Sequence, residues 1–235
     1  MAQDCSDYRT ISLISHTSKI LLHLINNRIR PIIERHLSES QMGFRKGKGT
    51  RDAIFQLRTI IERSMQVNKK VHACFVDYKK AFDCISHDKL LKILETAGIP
   101  DLERKLIKSL YWNQYAIIKT TAGETRKICI RRGVRQGCII SPILFNLFSE
   151  YMMKEIQQVA KDVTFGGQNC TDIRYADAAE PVSISDQEVE LQKTIDKVSE
   201  VCKEFGMELN VKKTKTMAFS KTEKAHATSQ STAKN

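Results

Sequence analysis

Long apolar runs are missing from this chain of 235 residues. None approaches the roughly 20 residues that a membrane-crossing helix needs, so no membrane partner is expected. Met1 to Ser12 lacks the apolar core of a signal peptide. Acidic residues run short, 27 against 38 Lys and Arg, leaving a formal net charge of +11. A domain this basic has the electrostatic footprint of a polyanion binder, or is a plain soluble basic surface. No Cys-x-x-Cys pair occurs among the seven cysteines, and the six histidines are scattered without zinc-type spacing. Cys74, Cys129, Cys138 and Cys202 sit in apolar or patterned segments and read as core thiols, in keeping with a reduced, intracellular protein. Internal repeats and long linkers are also lacking. What is present, 41% hydrophobic residues, can support a real core.

The periodicity predicts helices over most of the chain. Residues 15–37 carry Ile20, Leu21, Leu24, Ile25, Ile29, Ile32 and Ile33 on one broad face, with Pro31 expected to kink or restart the helix. Thr50 is expected to cap a second helix striped by Ile54, Leu57, Ile61 and Met65. Ser86 caps a third, which Gly98 and Pro100 stop. A short helix near Leu102–Tyr111 leads to two β-prone runs, Tyr115–Thr121 and Thr125–Ile130, turned by Ala122-Gly123. Ser141-Pro142 starts a long helix to about Ala160, and Asp186–Phe205 forms another, ended by Gly206. Val163–Phe165 and Ile173–Ala176 read as two arms of one hairpin, and Leu209–Phe219 as two short closing strands.

Three stretches carry the chemistry. Ala73 to Val76 reads as a buried strand ending on Asp77. A carboxylate there either caps the following turn or offers oxygen to a hard cation such as Mg²⁺. A second carboxylate, Asp177, follows the run Ile173–Ala176. Two strand-borne carboxylates brought together are the minimum scaffold for two-metal phosphoryl or nucleotidyl transfer. Between them lies Arg135-Gln136-Gly137-Cys138, where a glycine allows close backbone approach to a ligand. The loop Gly43–Gly49 holds Arg45, Lys46 and Lys48 among three glycines; it is suited to phosphates, or is simply a mobile basic loop.

These segments resemble, in order, the palm motifs of the reverse transcriptases of non-LTR retrotransposons, the jockey-like and long-interspersed-element group. Tyr8–Leu13, Gln41–Thr50 and Gly206–Lys215 extend the resemblance over roughly residues 8–220. It implies an α/β (α+β) fold: a polymerase palm with an antiparallel sheet, helical fingers, and the right-hand architecture without a complete thumb. Fingers would occupy 1–70 and palm 71–220, fingers elements returning around 111–132, before a disordered polar tail at 221–235. It implies an RNA template with a DNA primer, deoxynucleoside triphosphates, two Mg²⁺ ions, and residence in nucleus or cytoplasm; nothing points to a protein partner. Asp77, Asp177 and the Tyr78 carbonyl would hold the ions. Phe82 matches the steric gate against a ribose 2′-hydroxyl; without the motif, core packing is the favoured reading of an aromatic there. Gln136 and Gly137 would lie against the template base, and Arg45 and Lys46 beside the triphosphate. Lys213 matches the lysine that protonates departing pyrophosphate, or is one lysine of a solvated run. The family's Tyr-Ala-Asp-Asp stands here as Tyr175-Ala176-Asp177-Ala178, followed by Ala179-Glu180-Pro181. Loss of the third carboxylate, and a proline where a strand should continue, imply impaired catalysis. The alternative is an inactive remnant that binds nucleic acid nonspecifically.

Overall fold

A computed structural model describes residues 11–121, 123–158, 163–165, 168–170, 172–175, 182–221 and 227–228. Seven helices are described: α1 (His16–Glu34), α2 (Thr50–Gln66), α3 (Ala81–Cys84), α4 (His87–Thr96), α5 (Asp101–Tyr111), α6 (Ser141–Gln157) and α7 (Glu188–Phe205). The strands are β1 (Val71–Phe75), β2 (Gln114–Ala116), β3 (Lys119–Thr120), β4 (Gly123–Glu124), β5 (Ile128–Ile130), β6 (Val163–Phe165), β7 (Gln168–Cys170), β8 (Asp172–Ile173), β9 (Val182–Ser185), β10 (Lys215–Phe219) and β11 (Ala227–Thr228). No described helix is long and apolar enough to cross a membrane. The chain forms two compact units that interleave in sequence: Met1–His36 with Phe82–Leu147, and Leu37–Ala81 with Phe148–Asn235.

The first unit is mainly helical. Ser15 caps α1 by accepting the Ser18 N–H at 3.2 Å. The helix runs through Pro31 without restarting. The backbone bond that proline forfeits would end on the exposed Asn27, whose carbonyl water can serve. The buried face is Leu22, Ile25, Ile29 and Ile33, while Ile20, Leu21 and Leu24 are exposed, so the apolar stripe lies rotated from the expected one. Ser86 caps α4, and Gly98, at φ 73°, ends it with Ile99 N–H bonding to the Leu94 carbonyl at 3.0 Å. Beyond α5, β2 pairs antiparallel with β5, and β3 with β4. The expected hairpin is present, and Gly123 at φ 129° sits in its turn.

The second unit is built on a sheet of order β11-β10-β1-β9-β8, antiparallel throughout. Ala73 and Cys74 on β1 point to opposite faces, and both are fully buried. Both faces of the central strand are therefore covered. One cover is α2, whose Ile60, Leu57 and Ala53 pack on Val71, Ala73, Ile173 and Ile184. Ile54, expected in that stripe, is exposed, and the cap is Gly49 rather than Thr50: Asp52 Oδ2 accepts the Gly49 N–H at 2.7 Å. Along α7, Leu191, Ile195, Val198 and Cys202 are buried as the spacing predicts, and Gly206 closes it at φ 74°.

Two strand expectations are corrected. Val163–Phe165 pairs with Gln168–Cys170, not with the Ile173 run, because the nearer partner closes a shorter loop. The closing segment gives one strand, Lys215–Phe219, not two. Within the polar tail, Ala227–Thr228 pairs with β10 as an edge strand. β9 pairs regularly with both β1 and β8. α6 is buried around its whole circumference from Ile143 to Glu150, so its apolar surface is not confined to one stripe.

Candidate active site

Asp77 lies two residues past the end of β1, and it is 7% exposed. A buried carboxylate needs compensation, and here the loop between α7 and β10 supplies it. Asn210 Nδ2 donates to Asp77 Oδ2 at 2.9 Å, while the Asn210 N–H donates to the Asp77 carbonyl at 2.8 Å. The Asp77 N–H donates to Thr214 Oγ1 at 3.3 Å, and the Lys79 N–H to the Glu208 carbonyl at 2.8 Å. The Asn210 carbonyl in turn receives the N–H groups of Lys213 and Thr214, folding the loop into a tight turn. Lys213 Nζ stands 3.9 Å from Asp77 Oδ2, but its side chain is 67% exposed. An ion pair that open contributes about 0–1 kcal/mol, against about 1.5–3 kcal/mol for a hydrogen bond to a charged group. Asn210, not Lys213, holds this carboxylate.

Asp77 Oδ1 has no hydrogen-bond partner among the described residues. A free anionic oxygen on a rigid strand end fits one ligand position of a hard cation. The antiparallel bridge of Tyr78 with Leu209 is made by bonds from the residues on either side, so the Tyr78 carbonyl takes no part in it. No group of three His, Cys, Asp or Glu that could hold a metal occurs among the described residues. Asp77 and Tyr78 can thus begin a cation site, which needs a second carboxylate to complete it.

Asp177, Ala178 and Pro181 lie outside the described residues. Phe75 at the end of β1 pairs with Val182 at the start of β9, and Val182 pairs with Ile173 at the end of β8. Phe75 also pairs with Lys215 at the start of β10. Ile173, Val182, the Asn210 loop and Asp77 therefore all lie at one end of the sheet.

β8 is anchored by a buried ion cluster. Arg174 Nη1 donates to Glu150 Oε2 at 2.9 Å, and Arg174 Nε makes a close ion contact with Asp172 Oδ2 at 2.7 Å; all three side chains are 4% exposed. Backbone bonds of Arg174 with Ser40 and Met42 tie the same strand to the segment before the glycine-rich loop. Within that loop Arg45 turns inward, donating to the Ser38 carbonyl at 2.7 Å, with its side chain 11% exposed. It braces the loop, whereas Lys46 is exposed.

Phe82, Gln136 and Gly137 belong to the other unit. The Phe82 ring stacks on Phe145 with centroids 5.0 Å apart, a core contact. Arg135 donates to Gln114 Oε1 and to the Leu110 carbonyl, both at 3.0 Å, and so fixes the turn that follows. Gln136 accepts the Ser12 N–H at 2.9 Å. Gly137 takes φ 90°, a conformation that favours glycine, and its nearest neighbours are Ser12 and Ile11. Burial lifts the Cys74 and Cys202 thiols from 9.0 to about 12. Cys129, expected in the core, is exposed on β5.

Asn210, Thr214 and Arg174 carry no signal of their own in the sequence. The first two sit inside the Gly206–Lys215 motif; Arg174 carried no periodic signal at all. Residues 2–232 match the family described as reverse transcriptase (RNA-dependent DNA polymerase). A retrovirus-related Pol polyprotein from the type-1 retrotransposable element R2 of Popillia japonica is 30% identical over 210 residues, 88% of this chain and 29% of the relative. The RNA-directed DNA polymerase from mobile element jockey of Drosophila funebris is 31% identical over 152 residues, 63% of this chain and 16% of the relative. The chain thus spans less than a third of the length of these relatives. In fold it is similar to telomerase from Candida albicans solved with a fragment of telomeric RNA, at a TM-score of 0.62 and 13% identity over 88% of this chain and 34% of that one.

Proposed function

The chain belongs to the reverse transcriptase (RNA-dependent DNA polymerase) family, and we propose that it is the polymerase domain of a non-LTR retroelement, working at the Asp77 end of the five-stranded sheet. The observation that carries this is the register: the buried, Asn210-held Asp77 lies at the same end of the sheet as Ile173 and Val182, the described strand residues that flank Asp177 in sequence. Two Mg²⁺ ions, when bound, supply charge stabilisation to the attacking primer hydroxyl and the departing pyrophosphate. Asp77, Asp177 and the Tyr78 carbonyl would hold them. Asn210 fixes which oxygen of Asp77 stays free. Lys213, its ammonium 3.9 Å from Asp77 Oδ2, is close enough to the same carboxylate to deliver a proton to a leaving phosphate oxygen. Lys46 is free to reach a triphosphate, with Arg45 holding the loop from within. Phe82 would act as the gate against a 2′-hydroxyl through a ring already steadied by Phe145, and Gln136-Gly137 would meet the template base.

On this proposal the helical elements of residues 1–70 serve as fingers, the five-stranded sheet as palm, and the substrates are an RNA template, a DNA primer and deoxynucleoside triphosphates. On the same proposal the chain would work inside the cell, in nucleus or cytoplasm. A second reading has its own observation. Ala178 stands where the resembling enzymes carry a second Asp, so one negative charge is lost from a site that must hold divalent ions. The chain would then act as a weak polymerase or as a nonspecific nucleic-acid binder, to which its +11 charge suits it. Primer extension on poly(rA)/oligo(dT) with Mg²⁺ and with Mn²⁺ separates the two. The expected result is little extension by the chain as it stands and recovery in Ala178→Asp. No extension by either form, with hybrid binding intact, would leave the binder.

A further inference from the structure

The ribbon formed by β2 and β5 presents a surface that the polymerase chemistry leaves unused. Tyr115 stands directly opposite Cys129 in its register, so the two side chains share a face. Both are exposed, Tyr115 at 66%. Lys127 and Arg131 lie two residues either side of Cys129, the spacing that repeats one face of an extended strand, and both are exposed. With Arg126 and Arg132 they put four cations into seven residues. Among the described residues none of the four is in an ion pair, whereas Lys119 on the same hairpin is matched to Glu124 at 2.8 Å. An aromatic ring left in water amid unmatched cations is an unfinished surface. Its complement is flat, apolar on its faces and edged with negative charge.

We propose that this face binds a single-stranded polynucleotide, the Tyr115 ring stacking on an unpaired base while Lys127 and Arg131 neutralise the flanking phosphates. The assignment rests on the polymerase reading, under which the strand is the RNA template. A duplex is the poorer match, because its base faces are already stacked on one another. Stacking on an aromatic side chain tolerates any sequence, as a template-handling surface must.

The test uses the intact chain and three probes: a single-stranded RNA, a DNA of the same sequence, and a blunt RNA–DNA hybrid. Alkylation of Cys129 is followed with and without each probe, the buried Cys202 serving as internal control. Single strands are expected to protect Cys129, and the hybrid to protect it less. Tyr115→Ala should weaken single-strand binding about 5- to 140-fold, the range that loss of one stacked base implies, while Tyr115→Phe keeps it. The double variant Lys127→Ala/Arg131→Ala should make the slope of log affinity against log salt shallower by about 1.4, at about 0.7 per phosphate of a single strand. Equal protection by RNA and DNA makes the face a general single-strand surface, and preference for RNA makes it a template surface; either supports the proposal. If the strand binds but Cys129 reacts as before and Tyr115→Ala binds as tightly, this face is not the site, and the polymerase proposal stands. Protection by the hybrid alone overturns the single-strand assignment. Failure to bind any of the three probes overturns both.

Discussion

Replacing Asn210 with alanine removes the one side-chain hydrogen-bond donor to the Asp77 carboxylate among the described residues. Asn210 Nδ2 lies 2.9 Å from Asp77 Oδ2, and Asp77 is 7% exposed. A hydrogen bond to a charged group contributes about 1.5–3 kcal/mol, and little of that can be recovered here. The nearest cation, Lys213, is 67% exposed at 3.9 Å and too solvated to take over. The backbone bond from Asn210 N–H to the Asp77 carbonyl survives the substitution, so the loop keeps its path. For a chain of this size about 2–4 °C of melting temperature corresponds to each kcal/mol, so Asn210→Ala should lower the midpoint by about 3–12 °C. Asn210→Asp should do worse in metal-free buffer, because it sets a second carboxylate against Asp77. Millimolar Mg²⁺ should then return part of the loss in Asn210→Asp and little in Asn210→Ala. Thermal denaturation by circular dichroism with EDTA or with Mg²⁺ reads all four cases. If Asn210→Ala melts within 1 °C of the parent by the same scale, Asp77 is held by something else and the account of this loop is wrong.

Four further outcomes follow from the packing. Arg174→Met strands Glu150 and Asp172 as buried carboxylates, so it should cost about 3–5 kcal/mol in urea unfolding, with Arg174→Lys recovering part of it. Equal stability would mean that the cluster is not coupled. Gly133→Ala should fail to fold or unfold at much lower urea: Gly133 takes φ 93°, and an added Cβ would sit 2.9 Å from the Asp83 backbone. A normal unfolding curve would refute that crowding. At pH 8, iodoacetamide should modify Cys129 readily, and Cys74, Cys138 and Cys202 only after denaturation. The raised thiols also set an alkaline limit. Cys74 and Cys202 stay protonated in the fold up to about 12, while the unfolded chain loses those protons near 9.0. Their contribution is thus fully present below pH 9 and is lost as pH climbs towards 12. A melting temperature flat across that window would count against their burial.

Much of this was legible residue by residue. Ser86, Gly98 and Gly206 mark helix ends in the sequence because caps are local, decided by the φ of one residue and the side chain of another three positions away. The Tyr115–Ile130 hairpin was legible for the same reason. Strand order was not: β9 lies between β1 and β8, a pairing across more than a hundred residues that no local pattern records. Nor was the face of α1, where Leu22 and Leu21 are equally apolar and only the packing partner distinguishes them. Arg174 reads as a surface cation until Glu150, 24 residues away, turns up beside it. Arg45 shows the opposite error: a basic residue in a glycine-rich loop suggests a ligand, yet its guanidinium is used up on backbone carbonyls. Asp77 stands out in the sequence because a carboxylate closing a core strand needs a partner; Asn210, which donates to it, carries no such local signal.

The most direct measurement is primer extension by Ala178→Asp compared with Ala178→Asp/Asp77→Asn, each at a temperature where its circular dichroism shows it folded. Loss of a metal-holding carboxylate should remove several kcal/mol of transition-state stabilisation, on the order of a hundredfold or more in rate at about 1.4 kcal/mol per tenfold. The account predicts that extension collapses in the double variant, while its affinity for an RNA–DNA hybrid changes by less than about twofold, since the +11 surface is untouched. Extension that continues undiminished without the Asp77 carboxylate would contradict the assignment of this end of the sheet as the catalytic centre.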